Sequence, residues 1–81
     1  MIVVPRMLPL DRVAPGTDCV IREIDGDAPA VRRLMDLGLV PGTTVRLVRR
    51  APLGDPLEVI VRGTHLSLRR SEAGRFHVEL V

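Results

Sequence analysis

Eighty-one residues suffice for one domain with one small core; a chain of this size buries roughly 60% of its unfolded surface, which leaves little depth for a catalytic cleft. Apolar residues make up 46% of the chain but aromatics only 1%, so the core must be Val, Leu, Ile, Ala and Met, with scant material for stacking bases. Twelve arginines and no lysine face ten acids for a net charge of +2, short of the clustered basic excess of a nucleic-acid binder.

Cys19 is the one cysteine, which excludes an internal disulfide and fits a reducing compartment such as the cytosol. The start, MIVVPRMLPL, is apolar, but Pro5 and Arg6 interrupt it well short of the roughly 7 to 15 apolar residues of a signal peptide. Secretion is therefore not expected, and no window approaches the ~20 apolar residues of a membrane span. Residues 1–7 read as a tail and 8–80 as a single folded domain. Pro5 and Pro9 keep the first segment from being an inner strand, although Leu8 and Leu10 can tuck under the core.

Ala14-Pro15-Gly16 reads as a turn feeding a strand over 18–24. In that strand Cys19 and Ile21 share one parity while Val20 and Ile24 share the other, which predicts a bulge or a strong bend. Asp25-Gly26-Asp27 breaks it. Asp27 is the expected N-cap of a helix over about 28–37, with Pro29 in the first turn where its missing N–H costs nothing. Val31, Leu34 and Met35 fall on one face of this helix and Arg32, Arg33 and Asp36 on the other. Gly38 stands where a left-handed residue ends a helix, and Leu39 is spaced to touch Leu34 in a Schellman motif. Val40-Pro41-Gly42-Thr43 then has the proline and glycine positions of a type II turn.

The rest reads as sheet. A strand over 43–50 turns Val45 and Leu47 inward, and 51–56 (APLGDP) is a shaped loop because two prolines remove donors. Leu57, Val59 and Val61 alternate with Glu58, Ile60 and Arg62, and Gly63-Thr64 predicts a hairpin of type II′ returning with Leu66 and Leu68 inward. Residues 70–74 turn the chain into a last strand over 75–80, with Phe76, Val78 and Leu80 on one face. About five short strands joined by tight turns, with one helix between the first and second, make a mainly β protein. Wrapping the sheet into a small barrel is the simplest way to hide its edges.

Cys19, His65 and His77 are the available metal ligands, but no spacing brings two of them onto one element, and the histidines sit at outward parity on separate strands. Asp55 and Glu58 flank a strand start and face no cavity, and no glycine opens a helix as a phosphate loop would. No metal, cofactor or catalytic residue is therefore expected, and the chain does not read as an enzyme. Arg49-Arg50, Arg62 and Arg69-Arg70 fall near strand ends as a basic surface, yet Phe76 is single and inward, which argues against RNA. Leu53 in an exposed loop, and Leu39 and Val40 in a junction, are less easily explained by turn chemistry and point to an interaction edge.

Four blocks in order, LMDLGLVPG (34–42), APLGDP (51–56), Gly63 and LRRSEA (68–73), resemble the FeoA family of small components of bacterial ferrous iron transport, with the likeness running over about 8–80. The resemblance implies an SH3-like β-barrel with a helix inserted after the first strand, a cytoplasmic protein, and a partner, the membrane GTPase iron transporter FeoB. It carries over no catalytic residue. It does mark the helix stop and the APLGDP loop as a candidate partner-binding surface, with Leu37, Leu39, Val40, Pro52, Leu53 and Asp55 as its residues. The same module also occurs as a C-terminal domain of iron-dependent repressors, so a small metal-responsive or peptide-binding module is the alternative.

Overall fold

The computed structural model describes residues 7–81; the expected N-terminal tail, apart from Met7, lies outside them. Six strands are present, β1 (Met7–Pro9), β2 (Thr17–Ile24), β3 (Thr44–Arg50), β4 (Leu57–Val61), β5 (Thr64–Leu68) and β6 (Phe76–Leu80). Two helices, α1 (Pro29–Asp36) and α2 (Arg70–Ala73), and one 3-10 turn at Leu10–Arg12 complete the domain. The strands form one antiparallel sheet in the order β1-β6-β2-β3-β4-β5. One strand more than expected arises because Met7–Pro9 pairs with β6. Its proline is tolerated there because the strand is an edge.

Buried positions keep a single parity from strand to strand. Cys19 pairs with Val45, Val45 with Val61, Leu47 with Val59, Leu57 with Leu68, and Ile21 with Val78, and all nine are buried in one continuous cluster. One face of six strands can enclose one cluster only if the sheet wraps around it. Val31 and Leu34 of α1, Leu10 and Val13 around the 3-10 turn, Ala73 of α2 and Phe76 close the ends. Leu80, expected inward, is exposed at the strand end. The irregular parity of β2 resolves as a register shift between Ile21 and Glu23 against β6, which lets both Ile21 and Ile24 pack on the core.

Helix α1 starts one residue later than expected. Ala28 is the N-cap, without a side-chain cap bond, and Pro29 is the first helical residue; Asp27 lies outside the helix. The stop forms as the spacing predicts. Gly38 N–H donates to Met35 O at 3.0 Å and Leu39 N–H to Leu34 O at 3.1 Å, with Gly38 at φ 116°, the bond pair of a Schellman motif. Thr43 N–H then donates to Val40 O at 3.1 Å with Gly42 at φ 89°, closing the type II turn. The β4–β5 hairpin differs from expectation. Its two connecting residues are Arg62 and Gly63, at φ 50° and 76°, so both are left-handed and the turn is type I′, not II′. A further difference is α2, a single helical turn where only a loop was expected; Glu72 reaches back to accept the Arg69 N–H at 3.0 Å.

Candidate functional site

Each of the two sequence blocks marked as a partner surface proves to be a braced structure with a few outward residues. In the first, Leu39 is 0% exposed, because as the last residue of the Schellman motif it must cover Leu34. Its side chain is core, and a partner cannot touch it without unfolding the motif. Leu37, the C-cap, is 48% exposed, while Val40 is half-buried beside it. In the second block Gly54 N–H donates to Ala51 O at 2.7 Å and Ala51 N–H to Pro56 O at 3.0 Å. Pro52 and Leu53 thus occupy the two corners of a turn, and Leu53 at its tip is 94% exposed. Asp55 is exposed too, but its Oδ1 accepts the Arg70 N–H at 3.0 Å, tying the loop to α2.

These blocks lie at opposite ends of the β3–β4 pair. The APLGDP loop joins Arg50 to Leu57, whereas Gly38 sits beside Val61 and Arg62 at the other end. Five residues of β4 separate them, roughly 13 Å at strand spacing. Beside the loop is a groove of about 880 Å³, lined by Ala30 and Arg33 of α1, Ser67, Leu68 and Arg69 at the end of β5, Glu72 of α2, and Asp55 and Pro56 of the loop, with no residue of the helix stop in its wall. Asp55 is therefore shared between the loop and the groove.

Charge in the groove is unequally committed. The carboxylates of Asp55 and Glu72 accept the backbone N–H groups of Arg70 and Arg69. Among the described residues, Arg33 and Arg69 have no carboxylate within ion-pairing distance. Ser67, Arg33 and Glu72 were not singled out as site residues from the sequence. Glu72 does stand inside the marked LRRSEA block and Arg33 directly precedes LMDLGLVPG, and the signal that could have found them is the exposed side of α1 facing the LRRSEA block.

The other chemistry-bearing side chains are engaged elsewhere. Cys19 Sγ donates to Val45 O at 3.4 Å in the core, and desolvation, helped by the charge of Asp18, pushes its pKa up to about 11. It stays a thiol and a poor nucleophile. His77 Nε2 lies 2.6 Å from Asp25 Oδ2, and His65 is exposed. Among the described residues no three His, Cys, Asp or Glu side chains are grouped as a metal site. Two of the arginines expected to form a basic surface are partly neutralised, Arg49 near Glu58 and Arg70 near Asp11, and Arg50 is engaged by donating to Val13 O. No helix is long and apolar enough to cross a membrane among the described residues.

Comparison with known proteins agrees with this geometry. The FeoA domain family model matches residues 8–80. A Fe(2+) transport protein A/Fe(2+) transporter FeoB fusion protein of Porphyromonas gingivalis is 33% identical over 72 residues, which are 89% of this chain. The chain spans only 8% of that relative's length. The solution structure of FeoA from Chlorobium tepidum is similar at TM-score 0.85 and 38% identity, covering 91% of this chain and 70% of that one. Stenotrophomonas maltophilia FeoA complexed with zinc, described as a prokaryotic SH3 domain protein, is similar at TM-score 0.71 and 37% identity, covering 85% and 86%.

Proposed function

The chain belongs to the FeoA domain family, with its SH3-like β fold, and from that membership we propose a non-enzymatic accessory protein of bacterial ferrous iron uptake that works by docking a FeoB-type GTPase transporter from the cytoplasm. The observation that carries this reading is the Porphyromonas gingivalis relative, in which transport protein A and the FeoB transporter share one chain. Fusion of two modules is favoured when they act in contact, because a tether raises the effective concentration of one for the other.

Docking is assigned to the exposed Leu37, Pro52 and Leu53 and the half-buried Val40 of the candidate surface, with Asp55 bracing the loop that carries two of them. Leu53 is the anchor by chemistry. A leucine held at a turn tip by a proline loses little conformational freedom on binding and gains about 1.5–3 kcal/mol from complete burial. Leu53→Asp is expected to leave the melting temperature unchanged, since the side chain touches nothing. It should also weaken capture of purified transporter roughly tenfold or more and lower ferrous uptake in cells that depend on this protein. Unchanged capture by the folded variant would remove the loop from the surface.

A further inference from the structure

The groove meets β5 at its edge, and that edge is the unguarded one. Ser67 and Leu68 have opposite parity, one exposed and one buried, yet both line the groove, which places it beside the strand and not over either face. The two-residue type I′ turn makes Val61 and Thr64 a hydrogen-bonded pair. By alternation Leu66 and Leu68 also bond to β4, so the N–H and C=O groups of His65 and Ser67 point away from the sheet. No backbone bond from the described residues meets them. Proteins usually blunt such an edge with proline, charge or a bulge. The opposite edge, β1, is three residues long and ends in Pro9, whereas β5 reads Thr-His-Leu-Ser-Leu and pairs with β4 without a register shift.

We propose that the β5 edge and its groove receive an extended acidic peptide segment, which adds to the sheet as a further strand between β5 and α1. The backbone of His65 and Ser67 supplies the ladder, and alternate side chains of the incoming segment enter the groove. Acidic chemistry follows from the uncommitted charge. Arg33 on one wall and Arg69 on the other have no carboxylate partner, while the two acids in the groove are already held by backbone N–H groups. A carboxylate arriving at alternate positions completes both arginines with charge-assisted hydrogen bonds. The inference rests on transporter docking only for the owner of the segment; the groove's preference for an acidic strand stands without it.

The test uses the full chain, 15N-labelled, with a blocked hexapeptide of alternating valine and glutamate as probe. Sub-millimolar binding is expected, with the His65 and Ser67 amides shifted and slowed in exchange, and with affinity falling as salt rises. The lysine-for-glutamate peptide should not bind, and methylating the glutamate or the valine backbone nitrogens should cost about tenfold in whichever set faces β5. Ser67→Pro tests the edge directly. Its nitrogen points outward, so the ladder to β4 survives, but the donor that an added strand needs is gone; binding should be lost with the spectrum otherwise intact. Arg33→Ser with Arg69→Ser, which leaves the edge open, should abolish the salt dependence. No binding at 1 mM probe, shifts confined to other strands, or full binding by folded Ser67→Pro would each overturn the proposal. Capture of purified transporter separates the two readings. Loss with Leu53→Asp but not with Ser67→Pro keeps docking and rejects the transporter as owner of the segment, while peptide binding without transporter capture keeps the edge and rejects docking.

Discussion

Asp18 and Arg46 face each other across β2 and β3 and form a two-pronged pair, Nε to Oδ1 at 2.8 Å and Nη2 to Oδ2 at 3.0 Å. The hydrogen bond from Arg46 holds the Asp18 carboxyl below its ordinary value near 3.8. The sign of the linkage follows: stability from this pair is complete above that value and is lost as pH falls through it toward the lower folded-state value. Exposed ion pairs are worth little and screen readily, so the effect is a small one. Melting curves from pH 6 to pH 2 should show the wild type ahead of Asp18→Asn at the top of the range and the two drawing together as pH falls below 3.8. A constant offset would assign the difference to something other than ionisation. Leu39 teaches a different lesson at the same scale. Sequence reasoning saw both that its spacing to Leu34 made a Schellman contact and that it stood in a junction, and could not decide between core and surface. The three-dimensional packing decides it, because Leu34 faces the sheet and draws Leu39 down with it.

Among the elements, α1 and its stop are where local chemistry specifies most. Gly38 is at φ 116° and buried, and an added Cβ would meet Arg62 Cδ and Val61 Cγ2 at 3.7 Å, ordinary contact distance. Space is therefore not the obstacle; backbone conformation is. Gly38→Ala is expected to destabilise by about 1–3 kcal/mol through that conformation alone, measurable as a lower urea midpoint with an unchanged slope. A loss near zero would show that the helix stop relaxes to another geometry. The elements that sequence reasoning placed well, α1, β3 and β4, are those bounded by their own turn signals, although β3 shifts register against β4 between Leu47 and Arg49. It was misled where the signal was shared between neighbours. Arg62 at positive φ is a residue seldom found in that conformation, so the glycine beside it drew the turn one residue too far. Residues 70–73 form one helical turn, too short for a periodic pattern; Glu72 caps it locally, while its bracing by Asp55 is set by tertiary contact.

Across the whole molecule the sheet order explains what could not be read from the chain. Sequence gave strands and parity but not neighbours, and the pairing of β6 between β1 and β2 is a long-range choice that no local pattern encodes. The same ordering left the two marked blocks at opposite ends of β4, with the groove beside only the APLGDP loop, so the site was legible as segments and not as a surface. It also sets a gradient of stability. Strand β2 is paired on both sides, to β3 and β6, and Ile21 donates to Thr43 O at 3.0 Å while accepting from Gly42 N–H at 2.7 Å. Opening its amides requires breaking the core, so they should exchange only with global unfolding, at free energies of order 5–15 kcal/mol. The amides of His65 and Ser67, on the outer edge of β5, need no opening at all and should exchange at nearly the rate of an unstructured peptide. Hydrogen exchange followed by NMR on the full chain reads both ends of this gradient in one experiment. Strong native protection at His65 and Ser67 would mean that the edge is already covered in solution, by α1 or by a second copy. Fast exchange there, beside a rigid β2, would describe a domain that holds the edge of β5 ready on an otherwise stable sheet.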